Sequence, residues 1–181
     1  MRELSLNVLD VAQNCITAGA SLIEISVEED TSAASLVITI SDDGKGMSPE
    51  QAKNAADPFY TTRTTRDVGL GLPFFKMSCE MTAGSFSIVS APGQGTTVTA
   101  SYNTGHIDMV PIGDMSETIL LLIYGSPHLD FLYSRTRDGA GYTLDTRQIR
   151  GVLGGDVPLN DNDVAQWLRE YLAEQESENL S

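Results

Sequence analysis

The chain has 181 residues, 41% of them apolar, which allows one good-sized domain, or one with a small appendage, and excludes a disordered composition. Its formal net charge of −14 argues against a nucleic-acid duplex or a membrane surface as the main partner, since both are polyanionic. Cys15 and Cys79 lie far apart with no C-x-x-C pair, so neither a disulfide framework nor a zinc site is expected, and they read as reduced thiols of a cytoplasmic protein.

The bases are unevenly spread. Lys45, Lys53, Arg63, Arg66 and Lys76 fall in one window and leave the C-terminal third acidic. Such a cluster suits a small anionic ligand as well as it suits a few solvated side chains. Met1 to Asn7 carries acid and amide where a signal peptide would be apolar, and the longest apolar run, Ile119 to Tyr124, is too short to span a bilayer.

In chain order, Glu3 to Ala18 reads as a helix with Leu4, Val8, Val11, Ala12 and Cys15 on one face and Gly19 ending it. Glu3, Asn7, Asp10 and Asn14 follow at steps of four, three and four and line up in one stripe. Two acids and two amides without a basic partner make an oxygen-rich wall suited to a hard cation such as Mg2+. Ser21 to Glu28 alternates as a half-buried strand, Thr31 to Ser35 turns, and Leu36 to Ser41 is a second strand. That strand delivers Asp42 to its end. Gly44 and Gly46 then let the chain turn sharply and bring bare backbone close. A fixed acid beside two glycines can hold a flat donor such as the exocyclic amine of adenine.

Ser48-Pro49-Glu50 opens a short helix to about Ala56. The hydroxyl- and arginine-rich stretch from Asp57 to Val68 has no helical or strand period and reads as a loop. It leads into Gly69-Leu70-Gly71-Leu72, the start of another helix, where exposed N–H groups make an anion site. Neither a Rossmann fingerprint nor a P-loop occurs. Ser85 to Ser90 and Thr96 to Asn103 read as strands joined at Ala91 to Gly95, placing Thr96 near Asp42 if the two strands are neighbours.

Residues 105–115 read as a linker. Beyond it, Ser116 to Tyr124 is expected as an apolar strand pairing with Leu129 to Arg135, and Gly141 to Leu144 as a third. Asp145 to Leu153 and Asn160 to Gln175 are expected as helices, the second with Val164, Trp167, Leu168, Tyr171 and Leu172 on one face; Trp167 and Tyr171 pack against that small sheet or, as the alternative, form a docking surface.

Four boxes in this order resemble the GHKL superfamily, the gyrase, chaperone, histidine-kinase and mismatch-repair ATPases. Asn14 to Ser21 resembles the N box, and Asp42 to Met47 the D-x-G-x-G box. Pro58-Phe59 with Gly69 to Leu72 resembles the F box and second glycine box, and Gly93 to Thr96 the last glycine box. The resemblance spans about residues 3–103. It implies an α/β (α+β) two-layer sandwich of the Bergerat type, a mixed sheet with helices on one face, over residues 1–104. A small α+β region would follow at 116–181.

By position, the resemblance implies ATP and Mg2+ as ligands. Asn14 would hold the metal, and Asp42 would accept the adenine amine with Thr96 beside it. Gly44 and Gly46 would border the purine. Gly69, Leu70, Gly71 and Leu72 would meet the phosphates under a lid carrying Phe59, Thr62, Arg63 and Arg66. Where hydrolysing relatives carry a glutamate four residues before the asparagine, this chain has Asp10, a shorter candidate base. Asp67 replaces the usual glycine two residues before Gly69. His106 and His128 do not sit on a dimerising helix pair, so a phosphate acceptor is expected on another protein. The implied activity is a histidine-kinase-like protein that binds ATP or ADP and acts on a protein partner, with the oligomeric state left open. A slow ATPase switch and a non-catalytic nucleotide sensor are the alternatives.

Overall fold

The computed structural model describes residues 3–60 and 70–180. Its elements run α1 (Leu4–Thr17), β1 (Leu22–Asp30), β2 (Ser35–Asp42), α2 (Pro49–Asn54), α3 (Gly71–Glu80), β3 (Ser85–Ser90), β4 (Thr96–Asn103), α4 (Met115–Gly125), β5 (Asp130–Arg137), β6 (Ala140–Asp145), α5 (Thr146–Leu153) and α6 (Asn162–Leu180). Six strands form one mixed sheet in the order β3-β4-β2-β1-β5-β6. Only β1 and β5 pair in parallel.

Strand alternation decides which face is covered. Ile23, Ile25 and Val27 of β1, Leu36, Ile38 and Ile40 of β2, Val98, Ala100 and Tyr102 of β4, and Phe131 and Tyr133 of β5 are all buried, while their neighbours are partly or fully exposed. The helices meet that buried face: α1 brings Leu4, Val8, Val11 and Ala12, and α3 brings Phe75 and Cys79. The result is two layers, with the core between them.

Ser116 to Tyr124 is not a strand but the body of α4. The Asp114 carboxylate caps it by accepting from Glu117 N–H at 2.8 Å. The exposed positions of the run, Leu121 and Tyr124, are as apolar as the buried ones, so it shows no usable periodicity, and length and caps decide its type. Leu129 to Arg135 therefore pairs elsewhere. β5 lies along β1, with Ile25 opposite Tyr133, and β6 follows it antiparallel. The C-terminal strands thus extend the first sheet rather than forming a small one of their own.

The segment before α4 also has a structural task. Leu4 and Ser5 N–H donate to the carbonyls of Pro111 and Ile112 at 3.0 and 2.8 Å, supplying partners for the open N-terminus of α1. Gly113 has φ +81°, and a Cβ there would run into Ser5 and Glu3. Along α6, Val164, Leu168 and Leu172 are buried, but Trp167 is not packed against the sheet as expected and is half exposed. No helix among the described residues is long and apolar enough to cross a membrane.

Candidate functional site

The site begins at the end of β2. Asp42 continues the Leu36-Ile38-Ile40 face, so the strand's two-residue period turns its carboxylate toward the helix layer. Across the ladder, Asp42 stands opposite Thr96 of β4 on one side and Ile23 of β1 on the other. Gly44 N–H donates to Asp42 Oδ1 at 2.8 Å, closing a tight turn on the acid.

Glycine is required in this turn for space. A Cβ on Gly44 would lie 2.8 Å from both the Ala18 carbonyl and Asp42 Oδ1. Gly46 has φ +67° and backs onto the Ala91 carbonyl, while Gly95, at φ +77°, backs onto the Asp42 carbonyl. Two loops are therefore interlocked by bare backbone. Gly93 N–H donates to the Lys45 carbonyl at 2.7 Å, and Met47 N–H to Ser90 Oγ at 2.8 Å; Ser90 Oγ also lies 2.8 Å from Thr96 Oγ1. Asp43 holds the start of β1, accepting from Ser21 and Leu22 N–H at 2.7 and 3.0 Å. The Leu22 bond foremost holds its carboxyl below the usual range.

Helix α1 runs beside this turn. Lys45 N–H donates to the Ala18 carbonyl at 3.0 Å. Cys15 lies near Asp42: its thiol donates to the Val11 carbonyl at 3.4 Å, and burial first, then the Asp42 charge, pushes the thiol pKa up. One position before Cys15 is Asn14, half-buried, and one turn earlier is Asp10. The amino end of α3 closes the row. Gly71 packs on the Asp10 turn so closely that a Cβ would lie 2.9 Å from that of Asp10. From Ala18 back to Asp10 is about 12 Å of helix, and along that length Asp42, Asn14, Asp10 and Gly71 follow one another.

The predicted stripe on α1 does not survive as one wall. Glu3 is the N-cap, turned toward Gly113, and Asn7 is buried, its Oδ1 without a hydrogen-bond partner among the described residues. Of the four, Asp10 stands against Gly71 of α3, and Asn14 follows it one turn along α1. Among the described residues no three His, Cys, Asp or Glu gather as a metal cage. Mg2+ does not require one, because it keeps several waters and takes one or two protein oxygens; Asn14 and Asp10 suit such a cation.

At the start of α3, Leu70 is the N-cap without a side-chain cap bond and is half exposed, while Leu72 turns into the core. Phe59 is 91% exposed, its N–H donating to Asp57 Oδ1 at 2.9 Å. Thr62, Arg63, Arg66 and Gly69 lie outside the described residues. Sequence reasoning missed Cys15, Ala18, Asp43 and Ser90. Cys15 looked like one more core residue, and the only signal was its place directly after Asn14 on a helix that had to pass Asp42.

Residues 1–105 match the family described as histidine kinase-, DNA gyrase B-, and HSP90-like ATPase. The non-motile and phage-resistance protein of Caulobacter vibrioides is 29% identical over 114 residues, covering 60% of this chain and 14% of that protein. Sensor protein SrrB of Staphylococcus aureus is 32% identical over 102 residues, covering 54% of this chain and 17% of SrrB. The chain thus spans less than a fifth of the length of these curated relatives. Among solved structures, the Aquifex aeolicus MutL ATPase domain complexed with ADP superposes with a TM-score of 0.53 at 12% identity, covering 100% of this chain and 99% of that one. The N-terminal domain of a DNA repair protein gives 0.55 at 16%, covering 86% and 58%.

Proposed function

Because the chain belongs to the family of histidine kinase-, DNA gyrase B-, and HSP90-like ATPases, we propose that it binds Mg-ATP along α1, engages a protein partner in that state, and passes the γ-phosphate to it. The observation that carries this reading is the continuous row from Asp42 and Thr96, through Cys15 and Asn14, to Asp10 and Gly71. ATP suits such a row, offering a flat donor to Asp42 at one end and phosphates to the amino end of α3 at the other.

In this reading Asp42 accepts the purine amine, and Thr96 holds a water beside it. The bare backbone at Gly44 and Gly46 lets the ring lie close. The N–H groups opening α3 meet phosphate oxygens, with the positive end of the helix dipole behind them. Asn14 would hold Mg2+, which when bound neutralises phosphate charge. Thr62, Arg63, Arg66 and Gly69, outside the described residues, are expected on the phosphate side.

The protein's contribution is then positioning and charge neutralisation, while the partner brings the nucleophile. The attacking atom bonds to the γ-phosphorus as the bond to the β–γ bridging oxygen breaks, and ADP leaves. A second reading is favoured by the placement of Asp10 at Gly71: Asp10 takes a proton from water, and the protein is a slow ATPase switch.

Incubation with γ-labelled ATP and candidate partners tests the proposal. Label on a partner supports transfer. Free phosphate that disappears in Asp10→Asn supports the switch, and unchanged bound nucleotide supports a sensor. Failure to bind ATP at all removes all three.

A further inference from the structure

At the other edge of the sheet, α5 and α6 leave an apolar groove of about 530 Å3 beside β6. Leu144, Ile149, Val152, Leu153, Val164 and Trp167 form its walls. Val152 is 88% exposed and Trp167 49%. Trp167 does not swing freely, because it stacks on Tyr171 with ring centroids 5.3 Å apart. A fixed aromatic facing an uncovered valine is the kind of surface that a partner's side chain fills.

Two further features say what fills it. β6 is the last strand of the sheet, so no strand among the described residues pairs with its outer backbone edge, and Thr143 and Asp145 of that strand line the groove. An extended segment can add there by backbone pairing and place alternate side chains in the hollow. The rim is acidic. Asp163 lines it, and Glu170 and Glu174 are exposed on α6, three residues beyond Trp167 and Tyr171. Among the described residues no lysine or arginine lines the groove. Of the nearby bases, Arg147 is held by Asp145 and Arg150 by Asp130.

Charge decides between occupants. A second copy would set one acidic rim against another on molecules of net charge −14. A basic segment meets the opposite sign. We infer that the groove between α5 and α6 receives an extended basic segment of a partner protein, paired to β6, with one large apolar side chain between Val152 and Trp167 and Lys or Arg over Asp163 and Glu170. This goes beyond the nucleotide reading, and it stands or falls without it.

Selection from a displayed library of random twelve-residue peptides on the wild-type protein, with the winners then titrated against Val152→Asp, tests the inference. Val152 is exposed enough for that variant to keep the fold, and unchanged thermal unfolding verifies it. The expected winners carry one aromatic or large aliphatic residue flanked by Lys or Arg. They bind Val152→Asp at least tenfold more weakly than wild type. They also shift the emission of Trp167, the chain's single tryptophan. Asp163→Lys with Glu170→Lys is expected to reverse the charge preference. Three results would overturn the inference: winners that bind Val152→Asp equally well, an acidic or charge-neutral consensus, or a solution dimer of this chain that Val152→Asp dissociates.

Discussion

Gly71 is wedged against Asp10: the first residue of α3 touches α1 one turn before Asn14, with no room for a methyl group. The two helices that would share the phosphates are thereby held in contact at the point where the metal and the phosphate tail would meet.

Gly71→Ala is therefore expected to destabilise the fold although alanine favours helices. Propensity gains at most about 1 kcal/mol, and at a first helical position less. The added Cβ meets the Cβ of Asp10, which is fixed to the α1 backbone and cannot rotate away. Overpacking of this kind costs about 1–3 kcal/mol, so the expected net is a loss of about 1–2 kcal/mol, measured by urea unfolding. ATP affinity should fall with it, as α3 is displaced. A stabilised Gly71→Ala that keeps full affinity would show that the contact relaxes without consequence.

Asp42→Asn tests the opposite end of the row. The substitution keeps the shape but replaces a charged acceptor, and loss of a hydrogen bond to a charged group costs about 1–3 kcal/mol. ATP affinity is expected to fall by that amount by calorimetry, with the unfolding midpoint little changed. Unaltered affinity would remove the purine from Asp42.

Much of this arrangement was readable before any coordinates. Strands β3 and β4 alternate cleanly and end at glycine-rich turns, and the ladder places Thr96 opposite Asp42, as neighbouring strands require. What was not readable has identifiable causes. Ile119 to Tyr124 carries no polar–apolar period because the exposed side of α4 is apolar as well, at Leu121 and Tyr124. The pairing of β5 with β1 is parallel and joins segments about a hundred residues apart, and nothing local encodes such a long-range partner. Trp167 shares the α6 stripe with Leu168, yet the stripe is wider than the face that packs, so the ring falls at its margin. Asn7 continued a polar stripe in sequence but lies beside Leu4, Val8 and Val11, which carry it into the interior.

Asn14→Ala separates the metal from the nucleotide. The half-buried amide stands between Cys15, which lies near Asp42, and the Asp10 turn. If it offers an oxygen to Mg2+, removing it weakens Mg-ATP by about 1–3 kcal/mol and leaves ATP in excess EDTA nearly unaffected. Calorimetric titrations with and without Mg2+ measure the difference. Equal losses in both would place the metal on other residues.

Cys15 gives the clearest dependence on pH. Burial first, then the charge of Asp42, raises the thiol pKa well above its ordinary 9.0. Below pH 9 the thiol is protonated in both the folded and unfolded chains, and it adds no pH dependence. Above pH 9 only the unfolded chain releases the proton, so stability falls as pH rises, by about 1.4 kcal/mol per pH unit. Cys79 adds to the same trend, because burial pushes it to about 11, so the contribution of Cys15 must be read by difference. Urea unfolding of wild type and Cys15→Ala between pH 8 and 10.5 is expected to show the shallower decline in the variant. Iodoacetamide at pH 8 should leave Cys15 unlabelled in the native protein and label it in guanidinium. Ready labelling of the native thiol, or equal slopes in both proteins, would mean that the side chain is not buried near Asp42.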